Sequence, residues 1–203
     1  MSTIITAIDP AYPRVDALFR LVRNVYASSD FMSESFEDKF PAPEALVHEV
    51  RDVTSRPGGL FLVAEQDRHL RGYLVILPRR QARLRHTADL HLGVHSAARG
   101  QGLGRRLLDE ALVRLATEGV VEIVYLMVRA DNAPAIGLYE AARFDRLATL
   151  QRDTRIDGGY CDGLLMRRFV RPPASDRTSA PTLATASIGR LTLPTPQADD
   201  CEG

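Results

Sequence analysis

The chain has 203 residues, 45% of them hydrophobic, which suits one domain with a substantial core, and its 26 basic residues balance 26 acidic ones. That balance gives no global pull toward nucleic acid or an anionic membrane, and no window approaches the roughly 18 continuous apolar residues of a membrane span. Two distant cysteines, Cys161 and Cys201, make no disulfide framework, no metal-ligand spacing occurs, and the opening MSTIITAIDP lacks a basic stretch followed by a long apolar run, so the expectation is a cytoplasmic protein without a metal.

Residues 3–8, TIITAI, are rich in β-branched side chains and read as a first strand, after which Val15, Leu18, Phe19, Val22, Val25 and Tyr26 recur at helical spacing. A polar, acidic stretch, SSDFMSESFEDK, follows. Pro41 and Pro43 start a short helix through about Val53, and Pro57, Gly58 and Gly59 end it. LFLVAE and LRGYLVILP form a hairpin about Gln66 to Arg68, and HTADLHLGV is a fourth strand. GLGRRLLDEALVRLATEG reads as a helix, EIVYLMV as a fifth strand and NAPAIGLYEAA as a second strong helix. Two last strands, about 144–151 and 160–169, meet across Asp157, Gly158 and Gly159.

This order predicts an α/β fold, a mixed and mostly antiparallel central sheet of about seven strands flanked by helices, with one strand-helix-strand crossover in its second half. Residues 1–170 make the domain. Residues 171–203, rich in Pro, Ser and Thr and without periodicity, are expected to be a disordered tail.

The segment from Leu92 to Arg105 carries the most chemistry. An apolar strand ends in Leu92, Gly93 and Val94, a short turn follows, and Gly100, Gly102 and Gly104 open a helix whose apolar face is Leu103, Leu107, Leu108, Ala111, Leu112 and Leu115. Without β-carbons, backbone N–H groups can close around an anion, and the helix N-terminus adds roughly half a positive charge. The pattern points to pyrophosphate. A dinucleotide site of the form G-x-G-x-x-G fails, because the required third glycine is Arg105 from Gly100 and Leu107 from Gly102; a Walker A loop fails for want of a lysine. Glycines alone would also fit a tight turn with no ligand.

Arg99-Gly100-Gln101-Gly102-Leu103-Gly104 matches the [QR]-x-x-G-x-[GA] signature of the GNAT N-acetyltransferase superfamily, and Asn132 through Glu140, then Phe144, looks like that family's N-x-x-A-x-x-L-Y-[ED]-x-x-x-F element. The chain thus resembles the superfamily over about residues 3–170. The resemblance implies an acetyl-CoA-dependent N-acetyltransferase, with acetyl-CoA as co-substrate and a primary amine of a small molecule or peptide as acceptor. It places Leu92, Gly93 and Val94 beside the pantetheine arm, with the Leu92 amide polarising the thioester carbonyl. It gives the amides of Gly100, Gln101, Gly102, Leu103, Gly104 and Arg105 to the pyrophosphate, with Arg99 flanking it, and Asn132 to the cofactor; Asn132 also reads as a helix N-cap. Tyr139 corresponds to the family's general acid, protonating a thiolate of pKa about 8.5, with a high-pH limb expected near the phenol's pKa of about 10. A core tyrosine is its other reading. A homodimer is a further expectation from the resemblance.

The general base is open. On the fourth strand Leu90, Leu92 and Val94 share one face and Asp89 and His91 the other, so either of the latter is a candidate base or an ordinary strand residue. Ribosomal-protein N-terminal acetyltransferases of the superfamily carry a glutamate on the fifth strand where this chain has Met127. The acceptor would be met by the segment holding Asp30, Glu34, Glu37 and Asp38, suited to a cationic amine, or drawn by Arg79, Arg80, Arg83, Arg85 and His86 if acidic; both also read as solvated loops. A module that holds acyl-CoA without turnover, such as a sensor, is the alternative function.

Overall fold

The structure, a computed structural model, describes residues 3–156 and 158–171. Apart from Arg171, the expected tail lies outside the described residues, as does Asp157 of the last turn. The strands are β1 (Thr3–Ala7), β2 (Leu60–Gln66), β3 (His69–Pro78), β4 (Thr87–Val94), β5 (Ile123–Arg129), β6 (Asp145–Ile156) and β7 (Gly159–Phe169). The helices are α1 (Val15–Ala27), α2 (Phe36–Lys39), α3 (Pro43–Thr54), α4 (Leu103–Glu118) and α5 (Ala133–Ala141).

One seven-stranded sheet runs in the order β1-β2-β3-β4-β5-β7-β6, and only the β4–β5 pair is parallel. The mixed sheet and its single crossover through α4 are as the chain order predicts. On one face Leu62, Leu74, Ile76 and Leu90 pack against Leu103, Leu107, Leu108, Ala111 and Leu115 of α4 and Ile136 of α5. The other face packs Phe61, Val63, Tyr73 and Val75 under α1 and α3 through Leu18, Val22, Leu46, Val50 and Val53. Each such Leu, Ile, Val or Phe side chain, fully buried, contributes roughly 1.5–3 kcal/mol of transfer free energy, which holds the two layers against the sheet.

Within the acidic stretch the structure adds α2, which periodicity does not reveal. The Ser35 hydroxyl accepts from the Asp38 amide at 3.0 Å, capping the turn, and the Phe36 ring sits edge-on to Phe19 and Tyr26 with centroids 5.1 and 5.7 Å away. A single turn cannot display a period; its cap and one aromatic anchor stabilise it instead.

The feature that positions the site is a gap in the sheet. β4 and β5 pair only through Thr87–Ile123, Ala88–Val124 and Asp89–Tyr125. Beyond Asp89 each strand keeps its outer partner, β4 with β3 to Val94 and β5 with β7 to Arg129, so the two halves of the sheet diverge. From Leu90 to Val94 and from Leu126 to Arg129, the facing edges have no partner strand. Main-chain groups on such edges need hydrogen bonds, which water or an extended ligand can supply.

Candidate active site

At the open end of β4 a 3₁₀ turn, Ser96–Ala98, leads into the glycine segment. Gly100 and Gly102 have φ of 72° and 74°, and a β-carbon at either would meet nothing within 4 Å, so glycine is required there for backbone conformation. Among the described residues the amides of Gly100, Gln101, Gly102, Leu103, Gly104 and Arg105 find no acceptor; the first bonded amide of α4 is that of Arg106, to the Gly102 carbonyl at 3.1 Å. Six successive free N–H groups at the start of a 16-residue helix make a cradle suited to a phosphate or pyrophosphate.

The other two glycines serve packing. A β-carbon on Gly104 would stand 3.3 Å from the side chains of Leu138 and Leu92, and one on Gly93 would stand 2.4 Å from the Tyr73 ring. Nor do the turn's long side chains point at a free anion. Arg99 donates to the Val94 carbonyl at 3.1 Å and to Ser28; Gln101 donates to the Ala97 carbonyl at 3.0 Å; Arg105 grips Asp109 at 2.8 Å and the Ala141 carbonyl at 3.1 Å. The cradle is therefore built of main chain. Asn132 accepts the Ala135 amide at 3.2 Å, the N-cap of α5, and also lines the cleft.

The gap between β4 and β5 opens into a cleft of about 390 Å³ walled by Leu92, Gly93 and Val94 on one arm and by Leu126 and Val128 on the other. Tyr139 of α5 reaches it from the apolar layer. Its ring is buried, 5.7 Å from Phe144, and makes no hydrogen bond to any described residue, while its hydroxyl is not among the fully enclosed unpartnered atoms. The hydroxyl thus meets the cleft. Burial pushes its pKa up to about 12, so the phenol stays protonated well past neutrality.

Asp89 and His91 face the side of the sheet opposite Leu90, and both line the cleft. Asp89 pairs with Arg79 at 3.2 Å, with both side chains about two-fifths exposed. His91 keeps solvent-accessible surface while the cleft walls crowd its ring. Desolvation, with the Lys39 ammonium second, lowers its pKa below the ordinary imidazole value, which leaves it neutral at pH 7 with a lone pair to accept a proton.

The rest of the cleft wall is made of side chains from distant segments. Glu34 reaches Lys39 at 3.0 Å, and Glu49 of α3 lies near enough to both for burial and Glu34 to raise its pKa against the lowering effect of Lys39. A register shift in β6 between Leu150 and Thr154, with Arg152 at φ 56°, brings Asp153 and Thr154 into the cleft. The arginine-rich loop stays outside it: Arg80 is 2.5 Å from Asp52 of α3, and the Arg79 guanidinium lies 5.6 Å from the Tyr125 ring centroid. Of the four acidic residues expected there only Glu34 lines the cleft; Asp30, Glu37 and Asp38 lie outside it. Sequence reading missed Glu49, Tyr73, Asp153 and Thr154. Glu49 alone left a signal, a carboxylate set within the apolar stripe Leu46, Val50, Val53; a strand irregularity has no pattern to read.

Comparisons with known proteins fit this geometry. A family model for the acetyltransferase (GNAT) family matches residues 25–144. N-alpha-acetyltransferase RimI of Mycobacterium tuberculosis is 44% identical over 83 residues, covering 41% of this chain and 49% of the relative, so the match spans about half of that protein's length. L-amino acid N-acetyltransferase AaaT of Escherichia coli is 27% identical over 150 residues, 74% of this chain and 91% of the relative. In fold, the chain is similar to a phosphinothricin acetyltransferase from Sinorhizobium meliloti solved in complex with AcCoA, with a TM-score of 0.76 and 17% identity over 92% of this chain and 98% of that one.

Proposed function

The chain belongs to the acetyltransferase (GNAT) family, and from that premise we propose that it is an acetyl-CoA-dependent N-acetyltransferase acting on a primary amine of a small molecule or peptide by direct attack in a ternary complex. The observation that carries the reading is the gap itself. The unpaired β4 edge and Tyr139 line one cleft, and the six free amides follow Arg99, which lines the same cleft, in the turn that leaves the end of that edge. A long ligand with a pyrophosphate at one end and an acyl group at the other fits that line, and acetyl-CoA would supply the thioester.

The roles divide by element. Main-chain groups of Leu92, Gly93 and Val94 hold the extended arm as an added strand would, and the amides of Gly100 through Arg105 hold the anion. His91, neutral at pH 7, takes a proton from the attacking ammonium or its relay water. Asp89, turned to Arg79, is the weaker base candidate on this geometry. Tyr139 donates its hydroxyl hydrogen to the departing sulfur. A phenol near 12 facing a thiolate of ordinary pKa about 8.5 would transfer its proton uphill, but the desolvation that raises the phenol also raises the thiol, which narrows the gap.

Calorimetry with acetyl-CoA and a thiol-release assay over a free amino acid, an alanine-terminated peptide and a diamine test the proposal. Binding plus release with at least one amine is expected. Binding with no release on any amine favours a sensor instead, and no binding removes the cofactor assignment.

A further inference from the structure

The segment from Ser28 to Ser35 crosses the mouth of the gap, and one arginine from each arm of the open sheet holds it. On the β4 side the Arg99 guanidinium donates to the Val94 carbonyl at 3.1 Å, to the Ser28 carbonyl at 2.7 Å and to the Ser28 hydroxyl at 2.8 Å. On the β5 side Arg129, the last residue of its strand, donates to the Asp30 carbonyl and holds its guanidinium 5.0 Å from the Phe31 ring centroid. The Asp131 carboxylate grips the same guanidinium at 3.0 and 2.5 Å, fixing its plane, and the Arg129 side chain is only 13% exposed. Next to these anchors Met32, Ser33 and Glu34 form part of the cleft wall.

We propose that Arg99 and Arg129 are positioning residues that suspend the acceptor wall across the gap, and that the Arg99 side chain is not a ligand of the cofactor's phosphates. Each makes charge-assisted bonds to main-chain carbonyls, whose directionality fixes the middle of a loop otherwise tied at its ends by the Ser28 amide on the Asn24 carbonyl and by the Glu34–Lys39 pair, with Met32 packed on the core. Arg99 is also the residue before the glycine turn, so the phosphate cradle and the acceptor wall share one anchor, whereas Arg129 ties the wall to the far arm. The role rests on the acetyltransferase reading; the geometry does not.

The test uses full-length Arg99→Gln and Arg129→Gln. Amide hydrogen exchange at Phe31, Met32 and Ser33 should quicken about tenfold or more in each variant as the loop loses a tether. The acetyl-CoA Kd should stay within about threefold, while the KM for the amine that the wild type uses best rises about tenfold and kcat changes less. Arg129→Lys, which keeps the charge without the fork, should recover only part of the protection. Unchanged exchange in Arg129→Gln overturns the proposal. So does an Arg99→Gln protein that loses acetyl-CoA affinity with its loop exchange intact, since Arg99 would then be a phosphate ligand. Failure of the wild type to bind acetyl-CoA breaks the functional reading instead, and leaves exchange to decide the tethering.

Discussion

The two surfaces proposed to hold the substrates are made differently. The one proposed for the cofactor is main chain: an unpaired strand edge, residues 90–94, that walls the cleft, and six free amides, residues 100–105, in the turn that follows it. The proposed acceptor wall is side chains, with Glu34 before α2 and Lys39 at its end, Glu49 on α3, His91 on β4, Arg129 on β5 and Asp153 on a β6 irregularity. A main-chain site needs only residues that permit a conformation, so it tolerates change at most positions and demands glycine at two. A side-chain site depends on identity at scattered positions. One scaffold can thus keep a cofactor while its acceptor changes, because one surface draws on main-chain groups and the other on side chains.

The largest expected effect tests whether a residue between the walls belongs to catalysis or to packing. Tyr139→Phe keeps the buried ring and its contact with Phe144 but removes the hydroxyl, so kcat should fall about 10²- to 10⁴-fold while acetyl-CoA affinity stays within a few-fold. Because burial puts the phenol near 12, the wild-type rate should show no falling limb through pH 10. Near wild-type turnover in the variant would leave Tyr139 a core tyrosine.

His91 comes next. Its pKa is depressed, so the neutral form persists to lower pH than an unshifted imidazole of about 6.5 allows, and the acid limb of kcat/KM should lie below that value. His91→Gln should lower the rate on the order of 10²-fold and abolish the limb. The same depression means the unfolded chain takes up the proton first as pH falls through about 6.5, so wild-type stability should decline there and the variant's less. An identical acid limb in His91→Gln moves the base to Asp89 or to water.

A pair of glycine variants separates conformation from packing. Gly102→Ala puts a side chain on a residue at φ 74°, a strain of about 1–2 kcal/mol, and relief of that strain misaligns the amides, so acetyl-CoA affinity should fall about tenfold. Gly104→Ala has ordinary helical backbone and crowds Leu138 and Leu92 at 3.3 Å, so it should shift the melting temperature and spare affinity. Equal affinities for both variants in calorimetry would mean the turn's shape is not what holds the anion.

The smallest effect lies on the acceptor wall. Lys39→Met leaves Glu34 and Glu49 without their cation, at a cost on the order of 1 kcal/mol in this partly exposed setting. Burial already raises the pKa of Glu49, so protonation favours the folded state and that stability is lost as pH rises through the folded pKa. Removing Lys39 should therefore destabilise the protein more at pH 7 than at pH 4. Equal losses in thermal melts at the two pH values would place Glu49 outside the influence of Lys39.

What the sequence determined on its own were the features written in one stretch of chain. β-rich runs bounded by turn signals and 3.6-residue periods marked seven strands and the longer helices, although the sixth strand, expected to end near 151, runs on through its irregularity to Ile156, and the glycines at 100 and 102 marked a turn that only glycine enters easily. α2 escaped because one turn has no period, and Asp153 because a strand irregularity has no repeat. Tertiary structure alone decided which groups meet across the gap. It committed Arg99 to Ser28, turned Asp89 toward Arg79, buried Tyr139 enough to move its pKa, and brought Glu49, some forty residues before His91, into the same cleft. These outcomes depend on distances between residues far apart in the chain. Local propensity carries no information about such distances, whereas the packing of two layers against one divided sheet fixes them.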